Sequence, residues 1–347
     1  MSEILITGGN GFVGRHLVAA LKARGERVRV LALPGEDTRL LRAYGVAVYE
    51  GDIRRPETLP QSMRGVHAVF HLAAMMDVWR PLEDYREVNV RGTENVCRAA
   101  IAGGVRRLVH MSSSSVYGVG LGRPADESFP LSPFPDPYPT TKAEGDALVQ
   151  WMIREHNLPA VIVRPDQIFG PGDHLHFARV AERLQTRRGV VVGWGRNALP
   201  LVYVDDMVQA LLLALDQDRA VRRIYNISAG EVLTQKEFLH AIAEAIHAPA
   251  PRLHVPYRAL YAAGHAAERV AELRRSTVRP SITRLGVAFL GTDNRYVIDR
   301  ARWELGYSPR VSLEDGVRLT AAWYLDGVGA RAPLVSLAAP PREEARV

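Results

Sequence analysis

Apolar residues enter this chain in short runs separated by stretches of helical period. Ile4, Leu5 and Ile6 form the first run, closed by Gly8 and Gly9, and predict a buried strand. Residues 27–33, 46–49, 66–72, 107–111 and 160–163 repeat the pattern and predict five more strands. Between them, apolar positions recur every three or four residues at 14–24, 57–63, 82–102 and 138–156, which predicts helices. Strands separated by single helices predict an α/β protein with a doubly wound parallel sheet. Residues 120–139 are rich in proline and glycine and read as a surface loop.

Beyond Phe169-Gly170-Pro171-Gly172-Asp173 the rhythm changes. Short strands at 190–192 and 201–204 and helices near 205–215, 234–247 and 256–273 predict a smaller C-terminal lobe. We therefore expect one domain over 1–170, with 201–228 returning to its sheet, and a lobe made of 171–200 and 229–326. The Ala/Pro-rich residues 327–347 are expected to be disordered.

The first candidate for chemistry is the turn after the first strand, Gly8-Gly9-Asn10-Gly11-Phe12-Val13-Gly14. A dinucleotide pyrophosphate needs backbone without Cβ where it touches the chain, and free helix N-terminal amides aimed at negative charge. Ligands of a doubly wound sheet bind beyond the carboxyl ends of its strands. Asp52-Ile53, Leu72-Ala73-Ala74 and Ser112–Ser115 fall at such ends as well.

Composition narrows the partners. The formal net charge is +6, but the basic excess is mostly arginine spread along the chain, without clusters interleaved with aromatics, which argues against nucleic acid. No run approaches the roughly 18 apolar residues of a membrane span. The first strand follows Met1-Ser2 directly, leaving no room for a signal peptide, and the single Cys97 allows no internal disulfide. A cytoplasmic protein acting on a small molecule is expected. Cys97, in an Ala-rich helical segment, reads as core. His174 and His176 have no metal-like partners in spacing, so no metal is expected.

Lysine occurs only at 22, 142 and 236, and Lys142 lies four residues after Tyr138. On a helix the two share a face. A tyrosine of pKa about 10 becomes a usable acid or base when a neighbouring ammonium lowers that value. The Ser112–Ser115 run ends a strand, where a hydroxyl can polarise a substrate oxygen.

Thr7-Gly-Gly-Asn-Gly-Phe-Val-Gly14, Gly51-Asp52-Ile53, His71-Leu-Ala-Ala74, Asn89-Val-Arg-Gly-Thr93, Ser112-Ser-Ser-Ser-Val-Tyr-Gly118, Tyr138-x-x-x-Lys142 and Arg164-Pro165…Gly170-Pro-Gly-Asp173 occur in this order. Together they resemble the extended branch of the short-chain dehydrogenase/reductases. The resemblance implies a Rossmann-type sheet with a C-terminal substrate lobe, NAD or NADP, and a homodimer through helices 82–102 and 138–156. It implies Tyr138 as acid/base, Lys142 as its tuner and Ser113 as the catalytic serine. Gly8, Gly11, Phe12, Val13, Gly14, Asp52, Ile53, Leu72, Ala73, Ala74, Asn89 and Pro165 would hold the cofactor with Tyr138 and Lys142. Asn89 would serve in a proton relay or hold its helix.

Sugar-nucleotide epimerases and dehydratases share these motifs but usually carry an arginine for substrate phosphate where this chain has Leu199. Arg179, Arg274 or Arg279 remain as substitutes. The segments Gly193–Asn197, Val202–Asp206 and Arg279-Pro-Ser-Ile-Thr-Arg284 are more similar to the 3β-hydroxysteroid dehydrogenase-like group. That implies alcohol/ketone interconversion on an apolar, steroid-like or 3-oxoacyl-like substrate, with Met75, Trp79, Ser114, Gln167 and His174 as pocket residues. The alternatives are an epimerase or dehydratase with tightly held NAD, and a non-catalytic dinucleotide sensor, which would usually lack the Tyr/Lys pair. At the end of the second strand Glu36-Asp37 would repel a 2′-phosphate while Arg15 and Arg39 would attract one, so NAD is favoured over NADP only slightly.

Overall fold

A computed structural model describes residues 3–327. Seven parallel strands form the main sheet: β1 Glu3–Thr7, β2 Arg27–Ala32, β3 Ala47–Glu50, β4 Val66–His71, β5 Arg107–Met111, β6 Ala160–Pro165 and β7 Ile224–Ile227. Their order is β7-β6-β5-β4-β1-β2-β3. The central strands are mostly apolar because both faces of the sheet are covered. Ile4, Ile6, Val28, Val30, Ala68, Phe70, Val161 and Val163 point to one core, while Leu5, Leu31, Val69, Leu108 and Ile162 point to the other.

On the first face pack α1 (Phe12–Ala23) and α6 (Val204–Asp216). On the second lie α2 (Leu82–Arg86), a wider-turned segment Glu87–Gly92, α3 (Thr93–Ala102) and α4 (Pro137–His156). The predicted helix at 82–102 is thus one helical run with a loosened middle. α4 starts with Pro137 in its first turn, and the Asp136 side chain accepts the Tyr138 amide.

The lobe has its own core of Phe169, Phe177, Leu199, Leu201, Phe238, Leu313 and Val317. It carries α5 (Phe177–Gln185), α7 (Gln235–Ala245), α8 (Tyr257–Leu273), α9 (Arg284–Gly291) and α10 (Leu313–Leu325). One expectation changes here. Of residues 201–228, Ile224–Ile227 does join the main sheet beside β6, but Leu201–Tyr203 pairs with Gln167–Phe169 in a separate two-stranded sheet. The alternation along this short strand explains its placement: Val202 belongs to the main core, Leu201 and Tyr203 to the lobe core. Of the tail expected to be disordered, residues 328–347 lie outside the described residues.

Candidate active site

The order β4-β1-β2 makes the gap between β1 and β4 the place where strand order reverses, and the loops after these two strands touch there. A Cβ on Gly8 would meet the Ala73 amide nitrogen at 2.7 Å, and one on Gly14 would meet the Gly8 carbonyl at 2.2 Å. These two glycines are required by packing alone. Gly11 is different. It is exposed, and a Cβ there would find nothing nearer than the Gly8 oxygen at 3.3 Å. It also stands at the N-cap of α1, which has no side-chain cap and no acid in its first turn. An open, uncapped, bare helix N-terminus fits a pyrophosphate.

Around this cradle Phe12 packs edge-on against His16 at 5.6 Å and Val13 is buried in the core. The Leu72 amide donates to the Thr7 carbonyl at 3.1 Å, and the Ala73 amide to the Thr7 hydroxyl at 3.3 Å. Asp52 is buried and spends its carboxylate on Arg54 at 2.5–3.0 Å. Ile53 is buried beneath Gly92, and Pro165 ends β6. At the corner beyond β2, Glu36 takes the Asn10 amide at 2.9 Å and the Leu33 amide at 3.0 Å. Arg15 donates twice to the Asn10 side-chain oxygen, and Arg39 is held by Asp37.

Tyr138 and Lys142 lie on α4, and Ser113 follows β5. Burial pushes the Tyr138 phenol above its ordinary pKa, and the nearby Ser113 hydroxyl opposes that push. The expected lowering by Lys142 does not occur. The ammonium instead donates to the Met111 carbonyl at 2.6 Å, and burial brings its pKa down to about 8 against the pull of Asp146, one turn further along. Tyr138 is therefore a protonated phenol through the neutral range. His71 and His110 stack on each other at 5.3 Å, and burial followed by the Lys142 charge keeps both neutral.

Asn89 is fully committed to structure. Its side chain accepts from the Met75 amide at 2.7 Å, donates to the Met75 carbonyl at 3.0 Å, and donates to Thr141 on α4 at 3.0 Å. These bonds tie the loop after β4 to the helix that carries Tyr138. Of the two roles foreseen for Asn89, its bonds fit the one that holds the helix. Met75 and Trp79 are half-buried on that loop. Ser114 is buried beside Asp166 and Tyr296, and Gln167 starts the two-stranded pair with Leu201. His174 is the residue that the fold separates from this group: it is exposed and packs edge-on against Trp323 of α10 at 4.9 Å. No cluster of metal-ligand residues occurs among the described residues.

A network absent from the sequence reading holds α4 in place. Asp146 accepts from Arg164 at 2.7 and 2.8 Å, from Ser112 at 2.6 Å and from Gln150 at 2.7 Å. Arg164 donates on to the Tyr117 hydroxyl, which bonds Asn226, both at 2.7 Å. The only signal was spacing, since Asp146 lies four residues past Lys142.

Residues 4–228 match the NAD dependent epimerase/dehydratase family. The chain belongs to that family. It is 35% identical over 326 residues to the 2-alkyl-3-oxoalkanoate reductase of Stenotrophomonas maltophilia, covering 91% of this chain and 97% of that one. It is 29% identical to a 3-beta-hydroxysteroid dehydrogenase of Mycolicibacterium neoaurum, covering 94% and 92%. Among solved structures, a dTDP-glucose 4,6-dehydratase of Streptomyces venezuelae with NAD bound superposes with a TM-score of 0.76 at 28% identity, over 96% of this chain and all of that one. The chain is an enzyme with an NAD-type dinucleotide cofactor and an alcohol/ketone oxidoreductase, as the names of the first two relatives, a reductase and a dehydrogenase, indicate.

Lys142 leads to a pH prediction. Ketone reduction is expected to slow as pH rises through about 8, where the ammonium loses its proton. Stability should move the other way. Between about 8 and the ordinary value of 10.5 the unfolded chain binds more protons at this lysine than the folded one, so unfolding free energy rises with pH in that window. Urea melts at several pH values, wild type against Lys142→Met, check it. An unchanged pH dependence in the variant would sink the assignment.

Proposed function

We propose that this enzyme reduces a ketone on an apolar, 3-oxoacyl-like or steroid-like substrate to a secondary alcohol, using Tyr138 as the proton donor. The observation that carries this is the Tyr138 phenol lying beside the Ser113 hydroxyl, with burial holding its pKa above the ordinary value. Two donors converging on one oxygen suit a carbonyl that becomes an alkoxide. When bound, the nicotinamide ring supplies the hydride. Ser113 would polarise the carbonyl, Tyr138 would deliver the proton, and Lys142 would set the local charge while braced on Met111. Gly11 and the N-terminus of α1 would hold the pyrophosphate, with Asp52, Ile53, Ala73 and Ala74 along the rest of the cofactor.

An apolar substrate is supported by Leu199. It stands where related sugar-nucleotide enzymes keep a phosphate-binding arginine, and it is 3% exposed in the lobe core. A leucine offers nothing to a diphosphate. NAD over NADP is supported by the corner beyond β2: Glu36 is held there by Asn10 and Leu33, while Arg15 and Arg39 are already engaged. A homodimer through α2, α3 and α4 belongs to this reading, and Ile101 and Trp151 are exposed on those helices. So does a cytoplasmic location; no described helix is long and apolar enough to cross a membrane.

The test follows absorbance at the reduced-nicotinamide band with NADH and NADPH in parallel, offering 3-oxoacyl compounds, 3-ketosteroids and UDP- and dTDP-sugars. Oxidation of added cofactor with an apolar ketone supports the reading. A sugar product without net cofactor change would replace it with the epimerase alternative.

A further inference from the structure

The loop after β4 ends in an ionic contact that neither the catalytic group nor the cofactor cradle uses. Asp77 adopts a left-handed backbone, φ 53°. It sits between Met75, anchored by Asn89, and Val78, whose amide and carbonyl both bond the Tyr85 hydroxyl. Its carboxylate takes two arginines from the lobe: Arg179 of α5 at 2.5 Å, and Arg279, beyond α8, through Nε at 3.3 Å. These are two of the three arginines that the sequence offers as anion ligands.

The two arginines are not equivalent. The Arg179 side chain is 53% exposed, whereas that of Arg279 is only 19% exposed. Arg279 nevertheless meets Asp77 through Nε at 3.3 Å, and among the described residues its two terminal nitrogens make no hydrogen bond. The nearby Arg284 shows the ordinary outcome, with both its amide and its guanidinium bonded to Glu268. Through Asp77 the guanidinium meets the loop that Asn89 ties to the helix carrying Tyr138. The Arg279 charge opposes the burial that raises Asp136 and Tyr85. Asp136 caps α4, bonding the Tyr138 amide at 3.2 Å, and lies outside ion-pair range of Arg279. A largely sequestered guanidinium with its planar edge unpaired, near the start of the helix that carries Tyr138, matches a carboxylate in two-point contact.

We propose that Arg279 is a specificity residue that binds the carboxylate of a 3-oxo acid, holding the neighbouring ketone at Tyr138. The proposal rests on the ketoreductase reading and narrows its substrate class to acids. In such an acid the carboxylate lies two carbons from the reacting centre, so pairing it orients the ketone and leaves the alkyl chains to apolar walls. The acid group is bound and not transformed. The printed name of the Stenotrophomonas maltophilia relative is that of a reductase for such an acid.

The test compares 3-oxodecanoate with its methyl ester as substrates, and the binding of decanoate with that of decanamide by calorimetry, for wild type, Arg279→Gln, Arg279→Lys and Asp77→Asn. Wild type should prefer the acid by at least about tenfold in KM, and Arg279→Gln should raise the acid's KM by about 10- to 100-fold toward that of the ester. Arg279→Lys, which keeps the charge but loses the fork, should fall between them. Asp77→Asn should keep the acid preference. A plain ionic latch between loop and lobe predicts otherwise: Arg279→Gln and Asp77→Asn would then harm acid and ester alike, and that result overturns the proposal. Equal turnover of acid and ester by wild type also overturns it and leaves the ketoreductase reading standing. If neither compound is reduced, the ketoreductase reading fails on its own. The decanoate arm then still decides, since unchanged decanoate binding in Arg279→Gln refutes the carboxylate site and its loss supports it.

Discussion

Tyr138→Phe is expected to lower kcat for ketone reduction by about 10²- to 10⁴-fold while leaving the unfolding midpoint close to wild type. The variant removes one hydroxyl and keeps the ring, so what disappears is the proton that would pass to the alkoxide. The size of the loss follows from the protonation state. Burial raises the phenol's pKa, so at neutral pH nearly every Tyr138 carries the proton it must give. The reverse reaction needs the phenolate and should have its rate limited by the same rise. Alcohol oxidation should therefore gain with rising pH, while reduction slows through about 8, where Lys142 loses its proton. Stopped-flow single turnovers in both directions read the chemical step directly. A Phe variant that retains more than about a tenth of the wild-type rate would remove Tyr138 from the mechanism and leave Ser113 or a water as the donor.

The second large effect is on stability. Asp146→Asn is expected to cost about 3–5 kcal/mol of unfolding free energy, because it leaves the Arg164 guanidinium buried without its counter-charge. Both side chains are essentially inaccessible, at 0% and 1% exposure. Burial works against the ionised carboxyl, but Arg164, Ser112 and Gln150 outweigh it, and the Asp146 pKa ends below its ordinary value. A carboxyl with a lowered folded pKa stabilises the protein above its unfolded value of about 3.9 and loses that contribution as pH falls through the folded one. The wild type should therefore show an acid-unfolding limb that the Asn variant lacks. Replacing both partners, as Asp146→Leu with Arg164→Met, should cost less than the single change, since no buried charge is left alone. Urea titrations of wild type and the two variants check this, and a double variant worse than Asp146→Asn would contradict it. The functional consequence is local. Asp146 is one turn beyond Lys142, so a shifted α4 moves the pair that holds the proton.

The candidate site residues at strand ends were readable along the chain because each carries a local reason. Gly8, Gly11 and Gly14 are spaced for a turn into a helix. Tyr138 and Lys142 are spaced for one helical face. Leu199 is visible as an apolar residue where a phosphate ligand would need charge. The lobe was less legible. α5, α9 and α10 were not predicted, although Ser312 caps α10 by accepting the Asp315 amide and Thr283 caps α9 through Gly286. Such caps lie among arginines and short apolar runs, and each of these helices becomes stable only through the common core of Phe169, Phe177 and Val317. The strand at Leu201–Tyr203 was visible, but its partner was not, because three residues with both faces buried fit either sheet equally well until the two cores exist.

The sequence by itself determined the sheet class and pointed to the proposed cofactor cradle and Tyr138/Lys142 pair, because these depend on period, on missing Cβ atoms and on i to i+4 spacing. Only the tertiary structure decided what those residues are chemically. Whether Lys142 lowers Tyr138 or braces on Met111, whether Asn89 relays a proton or ties a loop, and where Arg279 finds its partner all depend on burial and on contacts between residues tens to hundreds of positions apart. Burial sets the sign of a pKa shift, and no local pattern in a sequence encodes it.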